Sequence, residues 1–248
     1  ADTLQIKVDL DGDFETTTGD QHIITLAASS LVPAFAYDDG GTNPYQVANA
    51  AQLNQVRNAS TSSYTQTQNV DIAAYCDSTA GWTPIGDATT GFSGTYNGGT
   101  KNISNLKINL TGTNNVGLFA QTNTGSSITD VRLTDVVGIT GGTYVGTLVG
   151  NNAASIERCS VTGDGTVSTA LTGNTDVYVG GLIGYTNGAI SNSYSTLNVG
   201  SAGNGNYVGG LVGQLDNGVV VDKCYTTGTV AGNIGVGGIT GGCINDTS

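Results

Sequence analysis

Val179-Gly180-Gly181-Leu182-Ile183-Gly184 is the stretch on which the reading of this chain turns. It recurs as Val145-Gly146-Thr147-Leu148-Val149-Gly150, as Val208 to Gly213 and as Val236-Gly237-Gly238-Ile239-Thr240-Gly241. A shortened copy, Val116-Gly117-Leu118-Phe119-Ala120, comes first; it lacks one glycine and ends in Ala120. The leading valines stand 29, 34, 29 and 28 residues apart. A period in this range marks a stacked array whose units bury their apolar faces against each other.

A second segment recurs inside each unit: Ile103-Ser104-Asn105-Leu106, Ile128-Thr129-Asp130-Val131, Ile156-Glu157-Arg158-Cys159, Ile190-Ser191-Asn192-Ser193 and Val221-Asp222-Lys223-Cys224. Neither segment has helical spacing, and short β-branched runs broken by Gly, Asn, Ser and Thr read as strands joined by turns. About three short strands per unit would make one turn of a coil. Stacked in register, strands lie about 4.8 Å apart and equivalent side chains form ladders. Leu106, Val131, Cys159, Ser193 and Cys224 would make one ladder, and Leu118, Leu148, Leu182, Leu211 and Ile239 another. The glycines suit corners, where positive φ or close backbone approach excludes a Cβ. The fold class is all-β, a parallel β-helix (β-solenoid), with a β-strand and short-helix capping region at the N-terminal end.

These residues resemble the GLUG-motif repeats of bacterial surface and secreted proteins, adhesins among them. The resemblance runs from about residue 45 to 248 and takes in Tyr45-Gln46-Val47, Val70-Asp71-Ile72, Trp82 to Gly86 and Phe92 to Tyr96, which look like the lead-in that precedes such arrays. It implies a β-solenoid in adhesion or surface structure and carries no shared catalytic residues. Secretion, and a location that is extracellular or at the cell surface, follow from it together with the composition.

Nineteen acids against seven bases give a net charge of −12. That argues against nucleic acid and against anionic membrane surfaces as partners. No apolar stretch is long enough for a membrane span. No signal peptide is present, and Ala1 reads as a mature terminus left by cleavage. Residues 1–43 form an acidic strand or hairpin segment outside the array; 44–248 form the β-helix, with a lead-in cap (44–100) and repeats (101–248). Leu4, Ile6, Val8 and Leu10 alternate with polar residues as a half-buried strand. Asp11-Gly12 signals a hairpin whose return could begin at Phe14, and Ile23 to Leu26 is a further strand candidate. Val47, Ala50, Leu53 and Val56 have helical spacing, so a short helix is expected to cover the first coil.

No cofactor is required by this reading; calcium is the one the acidic segment could take. Asp9, Asp11, Asp13 and Glu15 alternate, with Asp20 at the twelfth position of the loop so begun, as hard oxygen ligands would. Phe14 stands where such a loop wants glycine, and an acidic hairpin tip is the competing interpretation. Tyr144, Tyr178 and Tyr207 each precede a signature valine and should stack as an aromatic strip, either to hold a sugar ring or as ordinary packing. Tyr185, Tyr194 and Tyr225 are further candidates. Asp130, Arg158, Asn192 and Lys223 should stack, as should Thr129, Glu157, Ser191 and Asp222, giving an outward strip of mixed charge rather than acid–base machinery. Cys159 and Cys224 sit two coils apart, beyond the reach of a disulfide.

The expected function is non-catalytic presentation in adhesion or surface structure, with a surface glycan, a protein or further copies of the chain as partner. The alternative is a subunit of an extracellular fibre, joined by strand pairing through Leu4, Ile6, Val8 and Leu10 or through an open C-terminal coil. That coil closes on a complete signature with no amphipathic cap after it. A longer array, a covering partner or a short irregular cap would each account for this. A polysaccharide-degrading enzyme is the third reading.

Overall fold

A computed structural model describes residues 3–9, 21–27, 44–171, 176–200 and 207–244. The chain divides into two compact units, Ala1–Ala34 and Phe35–Ser248. In the first, strand β1 (Thr3–Asp9) pairs antiparallel with β2 (Gln21–Ala27), Leu4 opposite Leu26 and Ile6 opposite Ile24. The described partner of β1 is therefore the Ile23 to Leu26 candidate. The proposed return at Phe14 lies outside the described residues.

The second unit is a parallel β-solenoid of about six turns. A full turn carries five short strands, not three, as in Ser155–Glu157, Ser160–Val161, Thr166–Thr169, Tyr178–Gly180 and Ile183–Thr186. Each belongs to a different parallel sheet, and the five sheets hold seven, six, five, four and five strands. The extra strands escape sequence reading because they are only two to four residues long and a corner of two residues separates some of them, as Arg158-Cys159 does.

Register is fixed by inward side chains. In the first sheet the ladder runs Tyr45, Tyr64, Tyr96, Ile128, Ile156, Ile190 and Val221. Ile103 does not join it: Ile103 stacks between Val70 and Leu133 in the second sheet. Leu106 accordingly belongs to the next corner, where its carbonyl accepts from the Val137 amide, and not to the ladder of Val131 and Cys159. The motif Ile-x-x-apolar occurs on two faces of the coil, and sequence similarity alone does not tell them apart. The ladder from Leu118 through Leu148, Leu182 and Leu211 forms as expected, each leucine buried, with Leu182 donating to Leu211 and Leu211 to Ile239.

The corners after the first and second sheets pass through left-handed backbone, and in most turns a residue other than glycine holds that position. Asp130, Arg158, Asn192 and Lys223 hold the first corner at φ between 50° and 56°, and Asn105 and Asp135 hold the second. The signature glycines serve close approach instead: a Cβ on Gly180 would lie 2.0 Å from the Ile183 carbonyl oxygen, and one on Gly213 2.5 Å from the Val179 nitrogen. The two glycines of successive turns interlock, so neither position has room for a side chain.

The first turns are filled by aromatics. Phe92 and Phe119 pack at 5.0 Å between ring centroids, and Tyr96 meets Phe119 at 5.8 Å. Trp82, Phe92, Phe119, Tyr64 and Tyr96 are all fully buried. Helix α1 (Ala50–Gln55), continued by a 3-10 turn over Val56–Ala59, is shorter than the spacing from Val47 suggests, and Val47 itself lies in a strand. Leu53 and Val56 are buried in the core at the first rung. Asn49 caps α1, accepting from the Gln52 amide at 2.9 Å, while Gln52 Oε1 accepts from the Ala48 amide.

Candidate functional site

The feature most able to meet a ligand is a tyrosine cluster on the fourth and fifth sheets. Tyr144, Tyr178 and Tyr207 are direct ladder partners, each one residue ahead of a buried signature valine, which turns them outward by strand alternation. Ring centroids are 5.3 Å apart for Tyr144 and Tyr178 and 5.5 Å for Tyr178 and Tyr207. Tyr185 joins from the fifth sheet at 5.9 Å from Tyr144 and 6.2 Å from Tyr178. All four are half-buried. The strip stops at Gly235, against which the Tyr207 ring packs, as it does against Gly242. Tyr144 and Tyr178 stack, whereas Tyr207 is tilted by 48° to Tyr178.

Two carboxylates edge this cluster. Burial raises the Tyr178 phenol above its ordinary range, with Asp176 adding to the effect. Burial, then the Asp216 carboxylate, pushes Tyr185 up to about 12. Sequence reading found the three tyrosines of the strip but not their neighbours Asn151 and Gln214. The signal was available: the residue straight after the last signature glycine lies on the strip's side of the sheet, as Asn151, Tyr185, Gln214 and Gly242, although Gln214 is itself buried, and the next faces in. That next position holds a buried polar ladder. Thr122 donates to Asn152 Oδ1 at 2.8 Å and Asn152 Nδ2 donates to Thr186 Oγ1 at 2.9 Å, with Leu215 on the following rung.

The mixed-charge strip forms as the ladders require. Arg158 grips Asp130 through Nε and Nη2 at 2.8 and 2.9 Å, and also pairs with Glu157. The guanidinium holds the Asp130 carboxyl below the usual range. Lys223 pairs with Asp222 at 3.3 Å, both largely exposed. Tyr194 and Tyr225 stack at 4.7 Å on the second sheet. The four cysteines are free. Cys159 is buried, its thiol raised to about 12 by desolvation, while Cys224 is half-buried. Cys76 lines an open hollow with Asp77, Asn105 and Lys107, and burial raises its thiol too.

Of the acidic segment, Asp9 ends β1 opposite Gln21, and Asp11, Asp13, Glu15 and Asp20 lie outside the described residues. Leu4, Ile6 and Val8 lie in β1, one edge of which β2 occupies; Leu10 is outside the described residues. Among the described residues no three His, Cys, Asp or Glu side chains gather as a metal would need, and no helix is long and apolar enough to cross a membrane.

No known family profile matches the chain. No solved structure matches it either. It is 35% identical over 208 residues to halomucin of Haloquadratum walsbyi, an alignment that takes in 78% of this chain and 2% of halomucin. It is 37% identical over 146 residues to a protein of Evansella cellulosilytica described as a Gly-rich membrane protein, covering 56% of this chain and 17% of that one. The chain thus spans a small part of the length of both relatives.

Proposed function

We propose that this chain is a surface-associated, non-enzymatic β-solenoid that works by presentation, in adhesion or as part of cell-surface structure. The observation that carries this reading is the in-register stack itself, in a chain whose sequence is similar to stretches of halomucin and of the Gly-rich membrane protein. A module of this sort is extended by adding turns, which suits a rod that holds a binding face away from a surface. The GLUG resemblance agrees with it. The charged side chains support the non-catalytic part, since Asp130, Arg158 and Glu157 are committed to one another along an exposed corner. The partner would be a surface glycan or protein, met by the tyrosine cluster.

Antibody raised to the purified protein should label intact cells of the producing organism; labelling only after lysis would remove the surface assignment. For the ligand, glycan-array binding should be lost in Tyr178→Ala with the fold retained. Unchanged binding would take the tyrosines out of the site.

The fibre reading has one observation in its favour. Ile234 and Val236 in the coil of residues 221–243 are exposed apolar side chains that a further coil would cover. Negative-stain electron microscopy with and without calcium decides it. If β1 pairs between subunits, Ile6→Asp abolishes filaments and leaves the solenoid folded.

A further inference from the structure

The sequence contains four Asn-Gly pairs, at Asn97, Asn187, Asn204 and Asn217. Asparagine before glycine is where an amide side chain is most open to attack by the next backbone nitrogen, because no Cβ shields that nitrogen. The fold treats the described pairs differently. The Gly98 amide donates to the Thr129 carbonyl at 2.8 Å, and Asn97 Oδ1 is held by the Gly99 amide at 2.8 Å. The Gly188 amide donates to Thr186 Oγ1 at 3.0 Å, and Thr186 is fully buried. In both places the nucleophilic nitrogen is tied into the coil. Asn204 lies outside the described residues.

Asn217 and Gly218 form the tip of an exposed turn between the fifth-sheet strand Val212–Leu215 and the first-sheet strand Val221–Asp222. The turn is closed by a long contact from the Val219 amide to the Asp216 carbonyl, 3.4 Å. Gly218 sits at φ 76° with open space where a Cβ would be. The Asn217 amide donates to Asp216 Oδ1, but among the described residues no hydrogen bond engages the Gly218 nitrogen or the Asn217 side chain.

We infer that Asn217 is a self-modification site, which deamidates in the folded protein while Asn97 and Asn187 do not. The Gly218 nitrogen, having lost its proton to water, attacks Asn217 Cγ. The new C–N bond closes a succinimide, and the Cγ–Nδ2 bond breaks with release of ammonia. Water then opens either carbonyl, giving aspartate or isoaspartate; the sum is one water consumed and one ammonia released, with no oxidant or reductant. The product places a second carboxylate beside Asp216, the group that already raises the Tyr185 phenol, so the change reaches the edge of the tyrosine cluster. The isoaspartate product also adds a backbone carbon to the turn. A surface protein would thus carry a chemical record of its age at one defined place.

The test is to incubate the full chain at mildly alkaline pH and follow ammonia release and peptide maps with time, in the native state and in denaturant. In the native state the Asn217 peptide should convert to an aspartate and isoaspartate pair about an order of magnitude faster than the Asn97 and Asn187 peptides, because structure protects only the latter. In denaturant the three rates should converge. The Asn204 peptide is read separately. Asn217→Gln should abolish the Asn217 signal and leave the fold unchanged. Native rates that are equal at the three sites, or fastest at Asn97 or Asn187, would overturn the inference.

Discussion

Gly209 shows what a single residue contributes to this fold. A Cβ there would lie 1.9 Å from the Val212 carbonyl oxygen, and that carbonyl belongs to the strand that closes the same turn. Gly209→Ala is expected to cost about 3 kcal/mol through forced backbone displacement. Gly112, with nothing near its missing Cβ and no positive φ, should accept alanine with a gain of up to about 1 kcal/mol from the unfolded chain. Thermal melts of the two variants check the contrast. Tyr185 gives a pH signature. Its phenol is held at about 12 against an ordinary 10.0, so the neutral form is favoured by folding. That contribution is complete below pH 10 and fades as pH rises to about 12. Ultraviolet titration should show a late phenol step that Tyr185→Phe removes.

At the scale of the strand, the fifth sheet carries both the strip of candidate ligand residues and the polar ladder behind it. Leu215 occupies the same rung position as Asn152, so a leucine suits the shape of the site. Asn152→Leu should nevertheless lose about 3 kcal/mol, since the Thr122 hydroxyl and the Ala154 carbonyl would lose their partner. Denaturant unfolding measures it. The strand scale is also where sequence reading met its boundary. The signature could be read because its valines, leucines and glycines repeat at each turn. The partner strands could not, since two-residue strands such as Ser160–Val161 and Tyr194–Ser195 show no alternation to detect. Likewise the corner at Arg158 and Lys223 gave no conformational signal, because neither residue type announces a left-handed backbone. The tyrosine strip was legible from spacing alone, whereas Asp216, brought to Tyr185 by the fold, was not.

For the whole solenoid, nearest-neighbour stacking makes turns exchangeable. Ile156 and Ile190 hold the same ladder position one turn apart. Deleting 156–189 should therefore remove one turn and leave a folded rod, with β-type circular dichroism and a lower melting temperature. Loss of folding would mean that the turns are specialised for their places. Specialisation does exist at one end. The first-sheet ladder changes from Tyr45, Tyr64 and Tyr96 to Ile128, Ile156 and Ile190, so the largest buried surfaces per residue come first. Hydrogen exchange should be slowest around Tyr96 and Phe119 and quicken toward the coil of residues 221–243.

That gradient gives the chain a direction of assembly. A ribosome or an export channel delivers residues 45–119 before the later turns, and these hold the aromatic plug that can close on itself. Each later turn, too small to stand alone, then arrives to find a finished strand edge waiting as its template.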